Sequence, residues 1–91
     1  MSEKLVKEAL KKYLKSIGAY YFMPVQMGYG AASIDFFVCH KGLFYGIETK
    51  RPGVKFPTGR QEVVMNAIMA ARGQCWLENS VNLEMTRVFL S

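Results

Sequence analysis

The segment from Ile34 to Lys50 constrains this chain more than any other. IDFFVC (34–39) and LFYGIETK (43–50) are apolar, β-branched and aromatic runs on either side of His40-Lys41-Gly42, the pattern of a β-hairpin. With Lys41-Gly42 as a two-residue turn, His40 pairs with Leu43, Cys39 with Phe44, and every further pair keeps the same sum; a four-residue loop from His40 to Leu43 gives the same register. At the far end that register sets Asp35 opposite Glu48, and Lys50, two residues on, points to the same face. Two carboxylates and an ammonium then share one end of a sheet whose other residues (Phe36, Phe37, Val38, Phe44, Ile47) are too apolar to leave them fully solvated. A lysine near two acids is ordinarily a surface ion-pair cluster worth little. Directly opposed acids repel, however, and a hard divalent cation such as Mg²⁺ or Mn²⁺ would relieve that repulsion through oxygen ligands.

The flanking sequence supplies the rest of an α-β-β-β-α-β-α order. Ser2 caps a helix running to Ile17, with Gly18 as its stop and Val6, Leu10, Tyr13, Leu14 and Ile17 as its buried stripe. AYYFMPV (19–25) reads as a strand, with Tyr20, Tyr21 and Phe22 packed on the sheet rather than stacking bases. QMGYGAAS (26–33) is a loop of small residues. RPGVKFPTG (51–59) is a turn-rich basic loop, and Thr58-Gly59-Arg60-Gln61 has the capping-box form, opening a second helix to about Arg72. QCWLEN (74–79) is a short strand, and Ser80 caps a last helix with Val81, Met85, Val88 and Phe89 on one face. A small mixed sheet flanked by helices is an α/β or α+β core.

Composition bounds the function classes. The chain has 91 residues, room for one domain and not for two cores. No apolar run approaches the ~18 residues of a membrane span, and MSEKLVKEALKK is charged from residue 3 onward, unlike a secretory signal. Cys39 and Cys75 lie 36 apart with no CxxC partner, which argues against a zinc site and for a reduced, cytoplasmic chain. Twelve Lys and Arg against seven Asp and Glu give +5, which favours a polyanionic partner, nucleic acid before membrane.

Asp35, twelve intervening residues and then Glu48-Thr49-Lys50 resembles the D…ExK signature of the PD-(D/E)xK nuclease superfamily. More narrowly the chain is similar to small stand-alone VRR-NUC domains of the phage type, through Glu3 fifteen residues before Gly18, GAYYFMPVQMGYG, SIDFFV, FYGIETKRPG, and PTGRQ with Gln61, a set spanning residues 3–61. Ile34 stands where that group usually has proline, and the Val-Arg-Arg triplet behind its name is absent. The resemblance implies a restriction-endonuclease-like fold over residues 1–91 and metal-dependent hydrolysis of DNA phosphodiesters. It implies Asp35, Glu48 and the Thr49 main-chain carbonyl as ligands of Mg²⁺ or Mn²⁺, with no small-molecule cofactor. It also implies Lys50 as the residue that orients water and stabilises the phosphorus centre, and a helix-1 glutamate and Gln61 beside them.

Several residues carry two readings. Gln61 either steadies Lys50 or the water, or closes the capping box on the Thr58 N–H. Lys50, Arg51, Lys55 and Arg60 form a basic run; beside a phosphate-cutting centre it reads as phosphate contact rather than a merely solvated face. His40 is a solvated turn residue and Cys39 a packing residue. Two acids of helix 1 compete for the site: Glu3 lies about 20° from the centre of the stripe at Leu10, and Glu8 about 160° away among lysines, so Glu3 is the one expected to serve cleavage. An acid in the first turn also suits the helix dipole. No recognition helix is visible, so DNA shape would set selectivity, and the similarity to archaeal Holliday-junction resolvases makes branched DNA the expected substrate and a two-fold homodimer the expected assembly. The expected location is cytoplasmic, host cytoplasm for a phage-encoded chain. The competing class is a non-catalytic nucleic-acid binding module, which gains nothing from acids placed beside phosphates.

Overall fold

A computed structural model describes residues 2–25 and 33–90. The elements are α1 (Glu3–Ser16), β1 (Tyr20–Phe22), β2 (Phe36–His40), β3 (Leu43–Thr49), α2 (Gly59–Ala70), β4 (Gln74–Glu78) and α3 (Glu84–Phe89), the order expected. The four strands form one mixed sheet in chain order, antiparallel from β1 to β3 and parallel between β3 and β4. The loop expected over 26–33 lies, Ser33 apart, outside the described residues. Among the described residues no helix is long and apolar enough to cross a membrane.

The hairpin has the expected register, Cys39 opposite Phe44 and His40 opposite Leu43. Lys41 (φ 52°) and Gly42 (φ 81°) are both left-handed, the two-residue turn whose twist matches that of the strands. Alternation sends Phe36, Val38, Tyr45 and Ile47 to one face, where with Trp76 they meet Leu10 and Leu14 of α1 and Leu83 and Leu90 beside α3. Val6, Leu10 and Leu14 are buried on α1, as the helical stripe requires.

The opposite face lies under α2. There β3 carries Gly46, where a Cβ would come within 2.5 Å of Ile34 Cδ1 and 3.0 Å of Ile68 Cδ1. Only a residue without a side chain lets strand and helix approach so closely. This also explains Ile34: it is fully buried and fills the space above Gly46.

Four expectations are corrected. Ser80 does not cap the last helix: it makes a turn, its carbonyl accepting from Leu83 N–H (3.0 Å) and its hydroxyl from Asn82 N–H (3.1 Å), and α3 starts at Glu84. The buried positions there are Leu83, Thr86 and Leu90, not Met85 and Val88, because Thr86 is drawn inward by Trp76 and Glu78. The β1 strand is three residues long; Tyr21 packs on Phe36, but Tyr20 and Phe22 are exposed (71% and 54%), since alternation at this edge turns them away from the core. Cys39, in register with Tyr20, is exposed for the same reason rather than packed.

Candidate functional site

The site lies where the β2–β3 ladder ends. The last ladder pair is Phe36 with Ile47, and one step on the chain bends at Asp35. The expected side-by-side pair of carboxylates is replaced there by a reciprocal clamp. The Asp35 N–H donates to Glu48 Oε1 (3.1 Å), while Asp35 Oδ2 accepts from the Thr49 N–H (3.0 Å) and the Thr49 hydroxyl (2.6 Å). Each acid is thus held by main chain from the other's strand, and the two carboxylates lean toward different helices. That of Glu48 faces α2, where Gln61 Nε2 donates to Oε2 at 2.6 Å; that of Asp35 faces α1, where Lys7 Nζ stands 3.6 Å from Oδ1.

Glu48 is 1% exposed and Thr49 fully buried. Burial first, and the neighbouring Asp35 charge second, push the Glu48 carboxyl up to about 7, against the opposing pull of Lys50 and of the Asp35 N–H. Lys50 Nζ lies 3.4 Å from Glu48 Oε2, its side chain 16% exposed. The residue just past β3 therefore reaches back over the acid two positions before it, as a period of two dictates.

Gln61 closes the capping box and, in place of Lys50 or a water, meets Glu48. Its Oε1 accepts from the Thr58 N–H at 2.9 Å, Thr58 Oγ1 accepts from the Gln61 N–H, and Nε2 remains for Glu48. The capping box fixes the side chain at the start of α2 and so fixes the donor that meets the acid.

Among the described residues, Glu3 reaches the site through Lys7 alone: Lys7 Nζ is 3.1 Å from Glu3 Oε2, one helical turn away. Burial would lower the Lys7 pKa, but Glu3 and Asp35 outweigh it and hold the ammonium above its ordinary value. Glu8 pairs with Lys11 at 2.9 Å on the other side of α1. Lys7 was missed in the sequence, although two signals were present. It follows Glu3 by four residues, a favourable ion-pair spacing, and lies only about 60° from Leu10 on the helix. Arg51, Lys55 and Arg60 are exposed, Arg60 in the first turn of α2 and Lys55 beside β4 and α3 in a pocket with Trp76, Asn79 and Glu84, whereas Lys50 is turned inward. His40 is partly buried at the opposite end of the hairpin from Asp35 and Glu48.

No protein-family model matches the chain, and no curated protein matches it. Among solved structures, one described as a VRR_NUC domain superposes with a TM-score of 0.71 at 18% sequence identity, covering 88% of this chain and 86% of that one. The likeness is one of fold: the chain has the mixed, helix-flanked sheet of a VRR_NUC domain, the restriction-endonuclease-like architecture expected from its motifs.

Proposed function

We propose that residues 1–91 act as one metal-dependent nuclease domain that hydrolyses DNA phosphodiesters. The observation carrying this reading is the gathering of Asp35, Glu48, Thr49 and Lys50, with Gln61, at one ladder end in a fold shared with a VRR_NUC domain. The donor set suits a hard cation. Among the described residues no three His, Cys, Asp or Glu gather to hold a metal. Mg²⁺, however, is commonly held by one or two carboxylates, its other positions going to water and substrate phosphate. Asp35, Glu48 and the Thr49 carbonyl would hold Mg²⁺ or Mn²⁺; burial first and the Asp35 charge second raise Glu48, and a divalent cation would offset both. Such an ion, when bound, supplies an acidified water and offsets charge developing on the phosphate.

The chain's own groups do the rest. Lys50 holds a fixed positive charge beside Glu48, where negative charge grows on the phosphate. Gln61, locked by its cap, keeps Glu48 Oε2 oriented. Exposed Arg51, Lys55 and Arg60 contact backbone phosphates and position the duplex without reading bases. Selectivity comes from DNA shape, with branched DNA such as a four-way junction as the substrate, in the cytoplasm (of the host, for a phage-encoded chain).

A two-fold homodimer supplies the paired cuts a symmetric junction requires. The surface that supports it is an open groove of about 720 Å³ between the hairpin and α2, lined by Phe37, Leu43, Phe44, Val63, Ala67 and Ile68. Val63 and Leu43 are 68% and 56% exposed there, apolar side chains that a second copy would cover. Sedimentation at micromolar concentration should give a dimer mass, reduced to a monomer by Val63→Glu; a monomer for the unaltered chain, with and without DNA, removes the dimer.

The reading is tested by a cleavage panel of duplex, flap, single-stranded and four-way-junction DNA with Mg²⁺, Mn²⁺ or excess EDTA. Cutting of branched DNA that EDTA abolishes is the expected result. Binding without cutting under every condition would make the chain a binding module instead.

A further inference from the structure

The oxygens of the two site acids are unevenly provided with donors. On Glu48, Oε1 takes the Asp35 N–H, and Oε2 is shared by Gln61 and Lys50. On Asp35, Oδ2 is fully engaged by Thr49, whereas Oδ1 meets, among the described residues, only the Lys7 ammonium at 3.6 Å. Lys7 has a second acceptor, Glu3 Oε2 at 3.1 Å, and its side chain is 30% exposed. One ammonium therefore stands between an acid of α1 and an acid of the site, nearer to the first.

On the reading of Asp35 as a cation ligand given above, we propose that Lys7 is a positioning residue that sets the divalent-cation affinity of the site. With no divalent cation bound, Lys7 offsets the charge of Asp35 beside Glu48 and keeps Oδ1 directed toward α1. A divalent cation and an ammonium compete for the same oxygen, since two positive groups close together in a partly buried site repel. Glu3 is the alternative acceptor. It already holds Lys7 across one helical turn, so the ammonium leaves Asp35 by a side-chain rotation and keeps an ion pair. Glu3 thereby favours cation binding without touching the cation.

This arrangement fixes opposite signs for two neighbouring substitutions. Lys7→Met removes the competitor while keeping an unbranched helix-forming side chain, and it should tighten binding. Glu3→Gln removes the alternative acceptor, leaves Lys7 on Asp35, and should weaken it. A merely structural pair would give weaker binding in both.

The test is Mn²⁺ titration of the full chain without DNA, followed by electron paramagnetic resonance of free Mn²⁺, with circular dichroism and thermal unfolding of each variant. Lys7→Met should bind roughly five- to tenfold more tightly than the unaltered chain, and Lys7→Arg, which keeps the charge, should stay close to it. Glu3→Gln should bind about threefold more weakly, and Lys11→Met, on the far side of α1, should not change. Unchanged or weaker binding in folded Lys7→Met overturns the proposal. So does unchanged or tighter binding in Glu3→Gln, which decides the matter alone if Lys7→Met does not fold. Mn²⁺ binding by the unaltered chain without these opposed shifts removes only the role of Lys7; no Mn²⁺ binding by it at all removes the cation reading of the site together with this one.

Discussion

Two glutamates are buried on adjacent strands of the same sheet, and their surroundings differ in kind. Glu78 of β4 is fully buried; its Oε1 accepts from the Thr86 N–H and hydroxyl, both at 2.8 Å, and its Oε2 from the Ser80 N–H at 3.3 Å. Glu48 of β3 is as deeply placed, but its partners are one main-chain N–H, the side chains of Gln61 and Lys50, and the charge of Asp35. The first set consists of neutral donors fixed by local chain, and it ties β4 to α3. The second comes from residues just before β2 and just after β3 and from α2, includes a like charge, and leaves the acid with a raised pKa. Burial alone does not mark a functional carboxylate; what surrounds it does.

The largest test of that difference is chemical. Asp35→Asn and Glu48→Gln each remove a ligand charge with little change of volume, and each should lower cation-dependent cleavage by roughly three orders of magnitude, with a native circular dichroism spectrum. Glu78→Gln, assayed below its melting temperature, should cut at a rate within a factor of about two of the unaltered chain, since its carboxylate faces α3. Equal losses at Glu48 and Glu78 in single-turnover assays would erase the distinction. Lys50→Ala should cost about 10²-fold in rate while DNA affinity changes only a few-fold, because its charge acts where the transition state gains its own. A loss confined to affinity would move Lys50 among the phosphate contacts.

The sequence showed Glu48 and could not show Glu78. Asp35, Glu48 and Lys50 are brought together by a short hairpin whose register follows from a two-residue turn and a period of two, so simple counting reaches them. The fold is legible for the same reason: stripe, hairpin and capping box are all local patterns. Glu78 depends on where α3 begins, and that is decided at long range. Leu83 takes a left-handed conformation (φ 55°), and Thr86 turns in to meet Trp76 and Glu78, none of which an isolated Ser80 reveals. The same limit applies at Asp35. Alternation places its carboxylate beside that of Glu48, but the chain bends there so that Thr49 can donate to it twice. Lys7, a helix residue meeting a strand acid, is a tertiary contact of the same kind.

Stability should separate the two glutamates through its dependence on pH. Glu78→Gln replaces one acceptor with an amide that points a donor at the Ser80 N–H, leaving a buried group unpaired. The expected loss is about 2 kcal/mol, a fall in Tm of roughly 10 °C for a domain of this size. No fall in a calorimetric scan at pH 7 would mean that the Glu78 network is not holding α3.

The last expected effect is the most diagnostic, because it depends on pH. The Glu48 carboxyl is raised from 4.5 to about 7 by burial first and by Asp35 second. Between those two pH values the native state binds more protons than the unfolded state, so the slope of stability against pH is negative there. Ionising Glu48 therefore costs nothing below about 4.5, and its full cost, at most about 3 kcal/mol, is present above about 7. Gln at this position removes the titration, while its amide turns a donor toward Gln61 or the Asp35 N–H at every pH, so the Tm of Glu48→Gln relative to the unaltered chain should rise by roughly 10 °C between pH 5 and pH 8.5 without metal, from a lower starting point. Mn²⁺ competes with the same proton, so affinity of the unaltered chain should rise with pH through about 7. A Tm difference that stays flat from pH 5 to 8.5, in scans without metal, would mean that ionising Glu48 costs the fold nothing and that burial beside Asp35 does not set it apart.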